Sequence, residues 1–360
     1  DVPKFKQINM LNRWEYTGNK NYHLQFTGRS LIDERIGGQI SITPNRYVVD
    51  VHNDLIELSS KIGSIQPNSP GKSTGIQSSF KIHNQKAKFG INEYDANQNS
   101  IFINIIRQTF INNTNNTLKY GFSYYADKYT ESFSGNILNI ITNRVRTDVI
   151  PGLFTEYNLK IGDVFNFTSG LRADYYNQNR DIMYLPRMNI KYNPNEKTVL
   201  RLSTGKSFRI ANIFAENLSL LASNRNFIIQ EELHPEIAWN YGLNITYCFY
   251  LNGREGTLNF DFYRTDFENQ VIVDIENISE VNFYNLKGKS FSNSIQSDFM
   301  YEISDRFDFK VAYKINNVIS TFSNEEKTSP LTSKNRLLFN MSYATNFDRW
   351  MYDFTINRIG

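Results

Sequence analysis

Pro70-Gly71-Lys72-Ser73-Thr74 carries the Gly-Lys-Ser/Thr core of a phosphate-binding loop, in which backbone N–H groups cradle phosphate and the lysine neutralises it. That chemistry also needs a glycine five residues before the Gly-Lys pair, and Gln66 stands there. Gly205-Lys206-Ser207 fails in the same way, with Leu200 at the required position, and neither segment leads into a helix whose N-terminus could hold an anion. The four histidines, His23, His52, His83 and His234, never fall at ligand spacing, so no metal site is expected. A single cysteine, Cys248, excludes an internal disulfide framework and any multi-cysteine cluster. Triplets such as Asn112-Asn113-Thr114 match a glycosylation acceptor, which an Asn-rich chain produces by chance. No catalytic constellation stands out, and no cofactor is expected. With 39 Lys+Arg against 36 Asp+Glu the chain is nearly balanced, which gives no reason to expect nucleic acid.

The elements that must carry any site are strands. In Trp239–Phe249 every odd position is apolar, and every even position is polar or small. Phe307, Phe309, Val311, Tyr313 and Ile315 alternate with Asp308, Lys310, Ala312 and Lys314. The same period of two runs through 118–124, 153–161, 167–175, 188–192, 258–263, 337–343 and 350–356. No long 3.6-residue stripe competes with it, and the chain is read as all-β. The mean hydropathy of −0.48 and the absence of any long apolar run exclude a bundle of membrane helices. Aromatic residues nevertheless make up 14% of the chain, which suits strands with one apolar and one wet face.

Connections decide between a soluble sheet and a barrel. Tight polar turns are expected at 18–21, 112–117, 162–163, 193–197, 252–256, 304–305 and 346–348, with an eighth near 66–75. Between them fall long polar connections at 33–46, 91–99, 131–146, 177–184, 208–236, 269–288 and 319–333. Strict alternation of short and long connections gives about sixteen strands, with all short turns at one end. That is the plan of a transmembrane antiparallel β-barrel, with short periplasmic turns and longer extracellular loops. Aromatics beside the short turns agree: Trp14, Tyr16, Tyr22, Tyr192, Tyr247, Phe249, Tyr250, Tyr301, Phe307, Tyr343 and Trp350 can form an interfacial girdle. The polar parity then faces the lumen: Glu156, Asn158, Lys160, Arg172, Asp174, Arg187, Lys191, Arg201, Asp308, Lys310 and Lys314. Arg264 is an exception on the lipid-facing parity near the outer end, where it could snorkel toward lipid phosphates or sit on a bulge.

The most informative stretch runs from Val199 to Leu243. Gly205, Phe208, Arg209, Glu216, Leu233, Pro235, Glu236, Trp239, Asn240 and Tyr241 follow a pattern similar to that of TonB-dependent outer-membrane receptors. There a strand ending in Gly-x-Gly-Phe-Arg-x-Pro enters a long external loop, and the chain returns through Leu-x-Pro-Glu-x-x-Trp-Asn-Tyr. Ser207 and Ala211 depart from it, replacing a Gly and a Pro. The resemblance implies a barrel of about 22 strands closed by an N-terminal plug. It implies import of a scarce, bulky ligand (an iron–siderophore, cobalamin, haem or a glycan), driven by the TonB energy-transducing complex acting on an N-terminal box. Its setting would be the outer membrane of a Gram-negative bacterium, in contact with outer-membrane lipids. On this reading residues 1–360 are part of one barrel domain, about sixteen strands of the family's 22, without plug or box, and should not transport alone. Arg209 and Glu236 are expected to brace the longest loop, and Tyr124, Tyr125 and Phe214 are the residues put forward for ligand contact. A passive porin-like channel and an outer-membrane barrel enzyme are the rival readings.

Overall fold

The computed structural model describes residues 3–19, 21–40, 46–69, 71–135, 143–223, 225–323 and 325–360. Strands β1 to β5 are Lys4–Asn19, Tyr22–Gly38, Val48–Ile65, Ser73–Phe89 and Asn92–Ile111. β6 to β10 are Asn113–Ser134, Asn143–Ile161, Phe165–Tyr176, Asp181–Asn195 and Thr198–Arg209. β11 to β15 are Asn226–Ile229, Glu236–Leu251, Arg254–Asn269, Val271–Asp274 and Glu280–Asn285. β16 to β20 are Ser290–Ser304, Phe307–Phe322, Glu325–Thr328, Asn335–Ala344 and Met351–Ile359. Seventeen form one antiparallel meander in which each long strand pairs with the next, β18 adding only a short pairing at the outer end of β17. That leaves sixteen spanning strands, the number the hairpin pattern predicts. Among the described residues β1 and β20 each pair along one edge only.

Short turns gather at one end as expected. Asn252 and Gly253 both take positive φ, 52° and 77°, the pair of left-handed residues a two-residue hairpin requires. Rings beside these turns fall into two runs: Tyr247 on Phe249 at 6.3 Å and Phe249 on Tyr301 at 6.1 Å, then Phe307 on Tyr343 at 6.4 Å and Tyr343 on Tyr352 at 6.5 Å. Above them the outer face is apolar in register. Ile76, Ile105, Phe122, Leu153 and Ala173 lie opposite one another across β4 to β8, and Leu202, Leu243, Phe262, Ile295 and Ile315 do so across β10 to β17. Exposed in a folded protein, such a face belongs against hydrocarbon.

Three of the stretches expected as long connections are partly or largely strand. β4 and β5 are joined by Gly90 and Ile91 alone, so most of 91–99 is strand. β6 runs to Ser134 and β7 begins at Asn143, so half of 131–146 is strand as well; residues 136–142 lie outside the described ones. Only 177–180 separates β8 from β9. The cause is the loss of the apolar outer parity above the bilayer: in the row Asp54, Asn84, Asn97 and Thr130 the ladder continues but no apolar residue marks it. β5 and β6 therefore reach 20 and 22 residues, about twice what a tilted strand needs to cross a bilayer. Length is added outside as sheet on one side of the mouth, and as loops 210–235, 270–289 and 323–334 on the other.

Candidate functional site

The inner face of the wall is hydrophilic and built in rows. Lys119, Glu156, Gly170, Arg187, Gly205 and Asn240 stand opposite one another from β6 to β12. Glu156 accepts from Lys119 Nζ at 3.0 Å and from Arg187 Nη2 at 2.5 Å. Arg187 can lie flat because its neighbours are glycines: a Cβ at Gly170 would stand 3.1 Å from its Nε, and one at Gly205 would stand 3.3 Å from its Cβ. That close approach is a physical account of the motif glycine at 205. One row outward, Arg172 donates to Asp174 at 2.7 Å and to Ser123 Oγ at 2.7 Å. Arg201 donates to Asn244, which donates in turn to Asp261. Cavities of about 480 and 450 Å³ lie along this ladder.

At the outer end the ladder between β9 and β10 stops at Gly205–Arg187, while β10 continues with β12 to Arg209–Glu236. Phe208 and Ile210 fill the gap, packing against Ile150, Tyr176 and Met183. The chain then crosses the inner face as a 3-10 helix, Ala215–Ala222, and β11. β11 pairs in parallel with β15, and β15 pairs antiparallel with β14, so loops 210–235 and 270–289 share one three-stranded sheet. This loop unit docks on the extensions of β4 to β6. Ile213, Phe214, Leu221, Phe227, Val271, Val281 and Phe283 form one core with Ala87, Tyr94, Ala96, Tyr129 and Phe133.

Polar contacts fix the docked position. Arg209 donates Nε to Glu236 at 2.8 Å and reaches Glu216 at 2.8 Å, so it binds the start of the helix to the start of β12. Glu236 also accepts from the backbone N–H of Val271, which ties in the second loop. Arg146 lies over the Tyr129 ring, pairs with Asp148 at 2.8 Å and donates to Ala211 O and Asn212 Oδ1. Asn92 donates to Leu221 O at 2.9 Å. Beneath the loop, the hydroxyls of Tyr94 and Tyr129 are 2.5 Å apart, and Tyr94 donates to Glu131. Burial raises the Glu131 carboxyl above its ordinary range, against the nearby Arg144, and burial together with Glu131 raises the Tyr94 phenol.

The structure separates the three residues put forward for ligand contact. Phe214 is only 3% exposed, edge-on to Phe133 at 4.4 Å and in contact with Phe227 and Phe283, and is used up as core. Tyr124 lies opposite Ile103 and Pro151 on the outward, lipid-facing row. Tyr125 alone faces inward, against Ile150, Tyr176 and Met183. The remaining motif residues lie around Arg209: Pro235 O accepts from Asn269, Trp239 donates to Glu268 and stacks on Tyr241, and Asn240 accepts from Thr265. Arg146, Asn212 and Asn92 escape sequence reading, because each contact joins residues far apart in the chain with no local pattern between them. Arg264 does not reach outward freely; it pairs with Asp266 and lies over the Phe291 ring at 4.8 Å. Among the described residues no three His, Cys, Asp or Glu side chains come together to hold a metal.

Comparison with known proteins agrees with this architecture. In the solved siderophore receptor PirA of Acinetobacter baumannii the fold superposes with a TM-score of 0.72 at 10% identity, covering 99% of this chain and 59% of that one. A variant of the ferric enterobactin receptor PfeA of Pseudomonas aeruginosa gives 0.71 at 12% identity, with 100% and 57% covered. A double mutant of the Serratia marcescens hemophore receptor HasR, solved with HasA and heme, gives 0.71 at 10% identity, with 99% and 64% covered. The chain thus spans about 60% of the length of these proteins. A search of curated proteins finds no match. The family model "TonB dependent receptor-like, beta-barrel" matches residues 9–358, and the chain belongs to that family, as a wall of an outer-membrane receptor barrel.

Proposed function

We propose that the protein captures a scarce, bulky ligand outside the cell and imports it with energy from the TonB complex. The ligand class is an iron–siderophore or related metal chelate, cobalamin, haem or a glycan. The described residues supply sixteen spanning strands of the barrel domain, and the edges of β1 and β20 left unpaired among them are where further strands would complete it, since open sheet edges are not tolerated in hydrocarbon. The plug and the TonB-binding box belong to the intact receptor. One observation carries the reading: a folded, clamped loop unit lies over a charged, hydrophilic inner wall. A passive pore gains nothing from such a cover, whereas a receptor uses it to bind first and open afterwards. Fold neighbours that handle ferric enterobactin and heme support the chelate class.

The test uses the intact gene product in outer membranes and a labelled panel: ferric siderophores, haem, cobalamin and oligosaccharides. One member should enter saturably, and uptake should stop with an uncoupler or without TonB. Entry that ignores energy and scales only with solute size would establish the passive channel instead.

A further inference from the structure

Among the described residues, Arg107 on β5 and Arg264 on β13 both stand on the lipid-facing parity of the wall, and they differ in their partners. Arg264, near the outer end, is paired with Asp266. Arg107, on β5, has one polar contact among the described residues, Nη1 to Thr74 Oγ1 at 2.6 Å, and no carboxylate. It occupies the row Thr74, Arg107, Tyr120, Thr155 and Leu171, directly below the apolar row that contains Ile105, Phe122, Leu153 and Ala173. All of these except Thr74 line a lipid-facing groove of about 570 Å³, walled by Phe122, Leu153 and Leu171. Ala173 and Thr155 keep it open, because their side chains are short where their neighbours are long. Tyr120 stands at the mouth of the groove, half exposed, beside the guanidinium.

Depth selects the leaflet. Arg107 is five residues before the turn at Asn112, about 16 Å along the strand and about 12 Å in height on a tilted strand. That height is close to the periplasmic headgroup level. An unpaired cation beside an apolar groove at that level complements an anionic phosphate carrying an acyl chain. We propose that Arg107 and this groove form a specific site for one phospholipid of the periplasmic leaflet, the phosphate on Arg107 and one acyl chain between Phe122 and Leu153.

The intact receptor, purified from membranes in mild detergent, is titrated with phosphatidylglycerol and phosphatidylethanolamine and examined by native mass spectrometry. Arg107→Gln should weaken retention of the first phospholipid about tenfold or more, the loss of one charge-assisted contact. Arg107→Lys should keep most of it. Ala173→Trp, which fills the groove and leaves the cation in place, should also displace the lipid, and Arg264→Gln should not. Heat-modifiable migration on gels checks that each variant is folded. If Arg107→Gln fails that check, Ala173→Trp against Arg107→Lys decides the matter. Equal retention by wild type and folded Arg107→Gln or Ala173→Trp would show annular lipid only, and a preference for phosphorylated lipid A would place the site in the wrong leaflet. Either result overturns the proposal.

Discussion

At the short-turn end, residues that touch are close in the chain or sit on neighbouring strands: Tyr247 on Phe249, Phe307 on Tyr343, Tyr343 on Tyr352. At the outer mouth they are not. Phe214 packs on Phe133 and Phe283, Asn92 holds Leu221, and Arg146 holds Asn212, across strands that are not neighbours in the sheet. The first end is stabilised by hairpins, each closed by its own turn, and by a surrounding bilayer. The second is a small globular core laid on the inside of a membrane wall. Motion of the loops therefore need not disturb the barrel, and a receptor can release its cover by undoing one core and one clamp.

Removing the centre of that core should have the largest effect. Phe214→Ala deletes a ring that touches three others, and burying nothing in its place costs about 3–5 kcal/mol. Hydrogen exchange should rise throughout 210–235 and 270–289, because the two loops share a sheet, while β12 and β13 near their short turn stay protected. Exchange that rose equally at both ends would show one cooperative unit and remove the contrast.

The clamp comes next. Glu236 is 10% exposed and receives two donors of Arg209 and the Val271 N–H, whereas Glu216, at 37%, receives Arg209 and its own helix's entry at Asn212. Arg209→Ala leaves Glu236 buried with a single donor and should cost about 2–3 kcal/mol. Glu216→Ala should cost below about 1 kcal/mol, as exposed pairs do. The order, read as protection of residues 212–223, is the discriminating result; a larger loss for Glu216→Ala would move the main anchor of the clamp from β12 to the helix.

Much of the wall was legible in the chain. A period of two with one apolar parity marks Trp239–Phe249 whatever the rest of the protein does, and Asn252-Gly253 marks its turn. Alternation is too short to read in 91–99: only Tyr94 and Ala96 turn toward the loop core, while Asp95, Asn97 and Asn99 lie on an outer face above the bilayer, where nothing selects apolar residues. The mouth was legible only at Arg209 and Glu236, which flank a loop and meet across one strand pair. Phe214 reads the same in a core as in a ligand pocket, and its partners at 133 and 283 carry no local signal. Tyr124 and Tyr125 are adjacent in sequence and lie on opposite faces, so one residue of register decides which meets lipid.

The smallest expected effect concerns protons. Glu131 lies in the extension of β6 under the docked loop, 4% exposed, and its carboxyl is raised chiefly by burial, with Arg144 at 3.7 Å pulling the other way. When the loop undocks, water returns and the carboxyl relaxes toward its ordinary value. The docked state then binds more protons than the undocked state, so docking weakens as pH rises through the raised value and is strengthened as pH falls toward the ordinary carboxylate range. Protection of 212–223, corrected for the intrinsic exchange rate, should be greater at pH 5 than at pH 7.5. Glu131→Gln removes the titration while keeping a side-chain oxygen to accept from Tyr94, so its protection should be flat with pH. A slope that survives in Glu131→Gln would assign the proton to another group. A slope of opposite sign would mean that Arg144 outweighs burial, and that the mouth is held by an ion pair rather than by its core.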